Sequence, residues 1–226
     1  MPFLILLLLG VVVLMSPMIW TRRTIARHSR ERDDFPGTGG EFARHLLDRL
    51  DLNEVAVEST ERGDHYDPGT RKVGLSPQHM DGKSLAAVVI AAHEVGHAMQ
   101  HASGYTPLLW RTRMAEVAGV IQRIGAGAML LVPLIAVVTR SPMGSGVTLM
   151  LGLATLGIAA LVHMITLPVE WDASFRRAMP ILEAGYIDKQ DLPAARRLLT
   201  AAALTYVAGA LGALLNIWAW LRLIRR

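Results

Sequence analysis

Apolar, uncharged residues run without interruption over 2–20 (PFLILLLLGVVVLMSPMIW), long enough to cross about 30 Å of hydrocarbon as one helix. Neither a positive n-region nor a small-residue cleavage site accompanies the run, so it reads as an uncleaved anchor rather than a secretory signal. Three more apolar stretches, 117–139, 146–167 and 201–221, predict three further spans. Arg22, Arg23, Arg27, Arg30 and Arg32 come directly after the anchor, and Arg176, Arg177, Lys189, Arg196 and Arg197 occupy 168–200. The intervening loop Arg140–Gly144 holds one arginine. Positive residues collect on the cytoplasmic side, which puts 21–116 and 168–200 there. The terminal Arg222, Arg225 and Arg226 then fall on the opposite side, against the rule. Trp218 and Trp220, with Asn216, suit an interface at the end of the last span.

The hydrophilic portion 21–116 has its own pattern. Thr38-Gly-Gly-Glu41 reads as a capping box opening a short helix to about Leu50. Val55–Val57 and Lys72–Ser76 alternate like short strands, separated by Gly63 and the Asp67-Pro68-Gly69 turn. From Ser84 to about Ser103 the period is helical, with Ser84 as N-cap and Gly104 as the stop.

Composition sharpens this reading. Of 226 residues, 52% are hydrophobic and 19% charged, against about 25% charged in ordinary soluble domains. Mean hydropathy is +0.34 and the sequence pI about 9.8. Net charge is +4, but the arginines flank apolar stretches instead of forming a face, which argues against nucleic acid as a partner. With no cysteine, a disulfide framework, a thiolate metal site and a cysteine nucleophile are excluded.

The chemistry concentrates at His93-Glu94-Val95-Gly96-His97. Two histidines four apart project from one helix face and can share a metal, while Glu94 stands beside them as a candidate general base. The H-E-x-x-H pattern is a zinc-protease signature. The bland alternative, a helix with incidental histidines, fits poorly with the apolar run Leu85–Ala92 before it, because buried imidazoles and a carboxyl need partners. Gly96 leaves room for another element to approach. Catalytic zinc wants three protein ligands. His101 lies two turns from His93, too far to join both, and Ser103 stands where a metzincin would need histidine. Glu170, in Leu167-Pro-Val-Glu-Trp-Asp-Ala-Ser174, is the better candidate. Two spans separate it from His97, so both emerge on one membrane face; the alternative is an interfacial carboxylate paired with Arg176 or Arg177. Asp172 either orients a histidine or is a solvated helix charge. His65 and Tyr66 are candidates for stabilising an oxyanion, or are polar residues of a turn, next to a Lys72–Ser76 edge strand able to hold an extended peptide. His163 reads as a membrane-helix histidine satisfied by a neighbour, and His28, His45 and His79 as surface residues.

Asp64-His-Tyr-Asp-Pro68, Leu75-Ser-Pro77, Ser84-Leu-Ala-Ala87, Ala92-His-Glu-Val-Gly-His97 and Leu167–Ser174 together give a chain that resembles the bacterial membrane-bound neutral zinc metallopeptidases of the YugP type. These are similar to the HtpX-like and CAAX-prenyl endopeptidases. The resemblance spans most of the chain. It implies a gluzincin site with one zinc ion on His93, His97 and Glu170, and Glu94 as general base. HtpX-like enzymes carry an aspartate four residues after the third ligand, and here that position is Ser174.

The sequence therefore predicts a mostly α integral membrane protein with four transmembrane helices and a small α+β zincin-like cytoplasmic region. The expected function is a zinc metalloendopeptidase of the bacterial inner membrane, multi-pass, with its site facing the cytoplasm and protein or peptide substrates near the bilayer. Two other classes remain. A non-catalytic zinc-binding scaffold or regulator would have no need of Glu94. A site-2-type intramembrane protease would need its motif inside a span and a later Asp-Gly ligand, yet the helix turns polar after Met99 and Asp81-Gly82 precedes the motif.

Overall fold

The computed structural model describes residues 2–139 and 143–224. Among these residues, eight α-helices and three strands run in the order α1 (Pro2–His28), α2 (Gly39–Arg49), β1 (Ala56–Ser59), β2 (His65–Asp67), β3 (Lys72–Leu75), α3 (Pro77–Met80), α4 (Leu85–Ala102), α5 (Thr106–Thr139), α6 (Met143–Trp171), α7 (Met179–Ile181) and α8 (Leu192–Ile224). Two π-helical segments, Asp172–Ala178 and Leu182–Tyr186, flank α7 and carry α6 onward with no intervening loop.

The caps form where the sequence sets them. Thr38 and Glu41 bond reciprocally as a capping box on α2, and the Ser84 side chain accepts from the Ala87 amide at the start of α4. Gly104, at φ +64°, ends that helix in the left-handed region that favours glycine. Helix α4 is apolar around most of its circumference, which fits an element buried on all sides. Helix α2, the small sheet, α8 and the first π segment surround it. The core that results joins Leu46, Leu47, Val73, Leu75, Val89, Val95, Leu182 and Leu199.

The sheet order is β1–β3–β2, with β1 parallel and β2 antiparallel to β3. This corrects the expectation of an edge strand at Lys72–Ser76: β3 is paired on both sides. Its Val73 and Leu75 are fully buried, whereas β1 presents Glu58, which pairs with Lys72. The most apolar strand takes the centre, because both its faces and both its edges can then be covered. The turn between β2 and β3 closes on Asp67, which accepts from the Gly69 amide and the Thr70 hydroxyl, each at 2.8 Å.

The four-span expectation is also corrected. Among the described residues, one helical stretch, Met150–Tyr186, is long and apolar enough to cross a membrane, by length and composition. The other long helices do not stop at their apolar stretches. Helix α1 continues through Arg22, Arg23 and Arg27, α5 includes Arg111, Arg113, Glu116 and Arg123, and α8 begins with Arg196 and Arg197. From residue 168 the chain continues the helix begun by α6 through the two π segments, until Gly185 leaves helical φ/ψ at φ +111°. Residues 140–142 of the expected Arg140–Gly144 loop, the terminal Arg225 and Arg226, and the side chains of Asn216, Trp218 and Trp220 lie outside what is described.

Candidate metal centre

His93, Glu94 and His97 lie on α4 and are 7%, 6% and 4% exposed; Glu170, on the last turn of α6, is 2% exposed. The two imidazole rings sit edge to face with centroids 4.7 Å apart. Glu170 Oε2 lies 3.1 Å from His93 Nε2 and 3.6 Å from His97 Nε2. One ligand atom from each of the three residues falls within 4.8 Å of the others, a group that could hold a metal ion. Metal bonds of about 2.0–2.2 Å at tetrahedral angles put ligand atoms about 3.3 Å apart. The two distances from Glu170 to the imidazoles bracket that value, and the donor set of two imidazoles and one carboxylate suits zinc. What brings Glu170 to α4 is the packing against that helix of the π segment that follows α6.

Gly96 permits that crossing. A Cβ built there would stand 2.8 Å from the Ala173 carbonyl oxygen, closer than side-chain carbons approach backbone. Position 96 therefore brings the π segment against the helix that carries both histidines. Segments of π-helix occur frequently at functional sites.

The partners of the other imidazole nitrogens decide which atoms face the cluster. Gln100, with no exposed surface, donates through Nε2 to the Val169 carbonyl at 2.8 Å and to Asp172 Oδ2 at 2.9 Å. Both are acceptors only, so the amide orientation is fixed by the network. Its Oε1 then faces His97 Nδ1 at 2.9 Å and can only accept. His97 must carry its proton on Nδ1, which leaves the Nε2 lone pair directed at the cluster. Ser174 Oγ sits 3.1 Å from His93 Nδ1 and takes the corresponding place for that ring. Arg177 Nε donates to Asp172 Oδ2 at 2.8 Å, closing the chain Arg177–Asp172–Gln100–His97. Arg111 of α5 stands 3.8 Å from Glu170 Oε1, the oxygen turned away from the histidines.

A cavity of about 230 Å³ opens beside the cluster, lined at one end by His93, Glu94 and Glu170 and reached by Asp64, Thr205 and Tyr206. Burial pushes the Glu94 carboxyl up to about 7, with the Glu170 charge adding to the rise and His93 opposing it. Burial also pushes Asp64 upward, but hydrogen bonds from His79 and Ser76 outweigh it and hold that carboxyl below the usual range.

Several candidate residues stand elsewhere. The Tyr66 hydroxyl bonds His101 Nδ1 at 2.8 Å, and both line a separate cavity with Arg71 and Glu54. His65 Nδ1 donates to the Gly63 carbonyl at 2.7 Å. Asp172 reaches His97 only through Gln100. His79, expected at the surface, is buried and lies 2.7 Å from Asp64 Oδ2. The ring of His163 faces Tyr206 with centroids 6.4 Å apart. Glu170 meets Arg111, and Arg177 is taken by Asp172. Sequence reasoning missed Gln100, Ser174 as a histidine partner, Arg111 and Tyr206. Only Gln100 left a local signal, a glutamine three residues after His97 and so on the same helix face.

Comparison with known proteins agrees with the cluster. A family model described as "Putative neutral zinc metallopeptidase" matches residues 3–225. Over 187 residues the chain is 39% identical to the "Putative membrane protease YugP" of Bacillus subtilis (strain 168), covering 80% of this chain and 77% of that protein. No solved structure matches the chain.

Proposed function

The chain belongs to the neutral zinc metallopeptidase family, and on that premise we propose that it is a membrane-associated endopeptidase of the gluzincin type. The observation that carries the reading is the convergence of His93, His97 and Glu170, with Glu94 on the same cavity. One zinc ion per chain would be held by His93 Nε2, His97 Nε2 and a Glu170 carboxylate oxygen. Zinc, when bound, supplies a Lewis acid for the scissile carbonyl and acidifies the attacking water.

The remaining work falls to the chain's own residues. Glu94 accepts a proton from the water as its oxygen adds to the carbonyl carbon. As the C–N bond breaks, the same carboxyl returns that proton to the leaving amine. A carboxyl held near neutrality by burial suits both halves of the exchange. Gln100 and Ser174 fix the two imidazoles so that their free lone pairs converge.

The substrates we propose are peptide bonds of membrane or unfolded proteins near the cytoplasmic face. The stretch Met150–Tyr186, long and apolar enough to cross a membrane, contains Glu170 itself. Ile124, Leu134, Met150 and Met164 are more than half exposed, an apolar surface that favours lipid over water. Arg22, Arg23 and Arg27 favour the cytoplasmic side for the region C-terminal to α1.

The test is cleavage of an unfolded protein by the detergent-purified chain, with and without chelator. Glu94→Gln is expected to lose about 10²- to 10⁴-fold in kcat while keeping its zinc. Glu170→Ala is expected to lose the metal. Full zinc and activity in Glu170→Ala would remove that residue from the ligand set. Zinc-loaded wild type that cuts nothing would leave a zinc-binding scaffold instead.

A further inference from the structure

The cavity at the metal cluster has a polar end and an apolar wall. His93, Glu94 and Glu170 supply the polar end, and Asp64, Thr21, Thr205 and Tyr206 add polar groups elsewhere in the lining. The wall comes from Ile25 of α1, Val89 and Ile90 of α4, and Leu198, Leu199 and Ala202 of α8. Hydrolysis of a peptide bond requires only the first of these. The second is supplied by three helices far apart in sequence, and two of them are tied together at the rim: Thr21 Oγ1 of α1 donates to the Ala201 carbonyl of α8 at 2.8 Å.

On α8, residues 198, 202 and 205 with 199 and 206 share one helical face, so this helix turns a continuous stripe toward the metal cluster. Val89, Leu198 and Leu199 are 1–3% exposed, so packing in the core fixes this part of the wall, while Ile25, Ile90 and Ala202 are half-buried. An acidic side chain would meet Asp64, Glu94 and Glu170 in this recess, with no lysine or arginine among the lining residues to replace its water, while an apolar side chain gains by leaving water against the wall. The cavity, at about 230 Å³, has room for a side chain of leucine or phenylalanine size beside the polar end.

We propose that this wall is a specificity pocket, receiving one large apolar side chain of the substrate at a position flanking the cleaved bond. The inference rests on the peptidase reading and goes past it to a substrate class. Preferred sites lie in segments rich in Leu, Ile, Met or Phe, as at the ends of membrane helices or in exposed cores of unfolded chains. Ala202 is the smallest side chain in the wall, so a larger residue there takes space from the pocket.

The experiment uses two peptide series, each varying one position flanking a single cleavable bond through Ala, Leu, Phe, Asp and Lys. Turnover is measured with the wild type and Ala202→Phe. Equilibrium binding of the same peptides to zinc-loaded Glu94→Gln is measured by fluorescence anisotropy. At one flanking position the wild type is expected to favour Leu or Phe over Ala by about 10- to 100-fold in kcat/KM, and over Asp by more. Binding to Glu94→Gln is expected to show the same order. Ala202→Phe is expected to invert the preference toward Ala with zinc content unchanged; Ala202→Val, a smaller step in the same direction, serves if the phenylalanine variant does not fold. Cleavage of all peptides within about 3-fold at both positions, or an unchanged preference in the position-202 variants, would overturn the pocket while leaving the peptidase intact. If no peptide is cut, the peptidase reading fails, and the binding series still decides the pocket: an apolar order supports it and a flat order overturns it.

Discussion

Gln100→Leu tests the logic of the metal centre at its least obvious point. Leucine nearly matches the volume, so the perturbation is the loss of three hydrogen bonds from a side chain with no exposed surface. Asp172 keeps Arg177 at 2.8 Å, and the Val169 carbonyl belongs to a helix. His97 Nδ1 loses the acceptor that held its proton there. One stranded buried group costs about 1–3 kcal/mol, and the weakened Asp172 contact brings the expected destabilisation to about 2–4 kcal/mol. The larger signature lies in the metal. Without a fixed tautomer, His97 presents a protonated Nε2 part of the time, and loss of such a partner lowers metal affinity about 10- to 100-fold. Zinc affinity is read by competition with a chromogenic chelator, under conditions where far-UV circular dichroism shows the metal-free variant still folded. A variant that binds zinc within about twofold of wild type would refute the claim that Gln100 sets the His97 tautomer.

Packing and charge give two further expected outcomes. Gly96→Ala drives a Cβ to 2.8 Å from the Ala173 carbonyl, so α4 and the π segment must separate; about 1–3 kcal/mol of lost stability and weaker zinc binding are expected, and wild-type values in both thermal unfolding and metal titration would contradict it. Asp64 is held below its ordinary value of 3.8 by His79 and Ser76, so it stabilises the fold above that value and loses this contribution as pH falls through and below it. Unfolding midpoints of wild type and Asp64→Asn should therefore differ near pH 7 and draw together as pH falls below 3.8; a gap that stays constant across the range would show that the ionised form is not favoured.

What can be read in the sequence is local. The caps of α2 and α4 depend on residues three apart, and both form as expected. The role of Gly96 is legible as room for a neighbour, though not that the neighbour is Ala173. The place of β3 is not legible, because alternation describes a strand's faces and says nothing of who pairs with its edges. His79 misleads for a similar reason: its burial is created by Asp64, fifteen positions earlier. The span count fails where apolar stretches are treated as whole helices, although the backbone keeps its helical bonds through the arginines of α1 and through Glu170. Ser174 shows the limit most clearly. In the sequence it stands out only as a departure from the aspartate of related enzymes, and its place against His93 depends on a π segment that no local pattern announces.

The separation of the ligands along the chain also governs when the centre can exist. His93 and Glu170 are 77 positions apart, so at about 5–20 residues per second a ribosome adds Glu170 some 4–15 s after His93. Until then the nascent chain holds two imidazoles and a carboxyl with nothing to complete them. The α8 wall is made later still. The cluster and the wall beside it are thus products of late translation, assembled only once α4, the end of α6 and α8 have all been made.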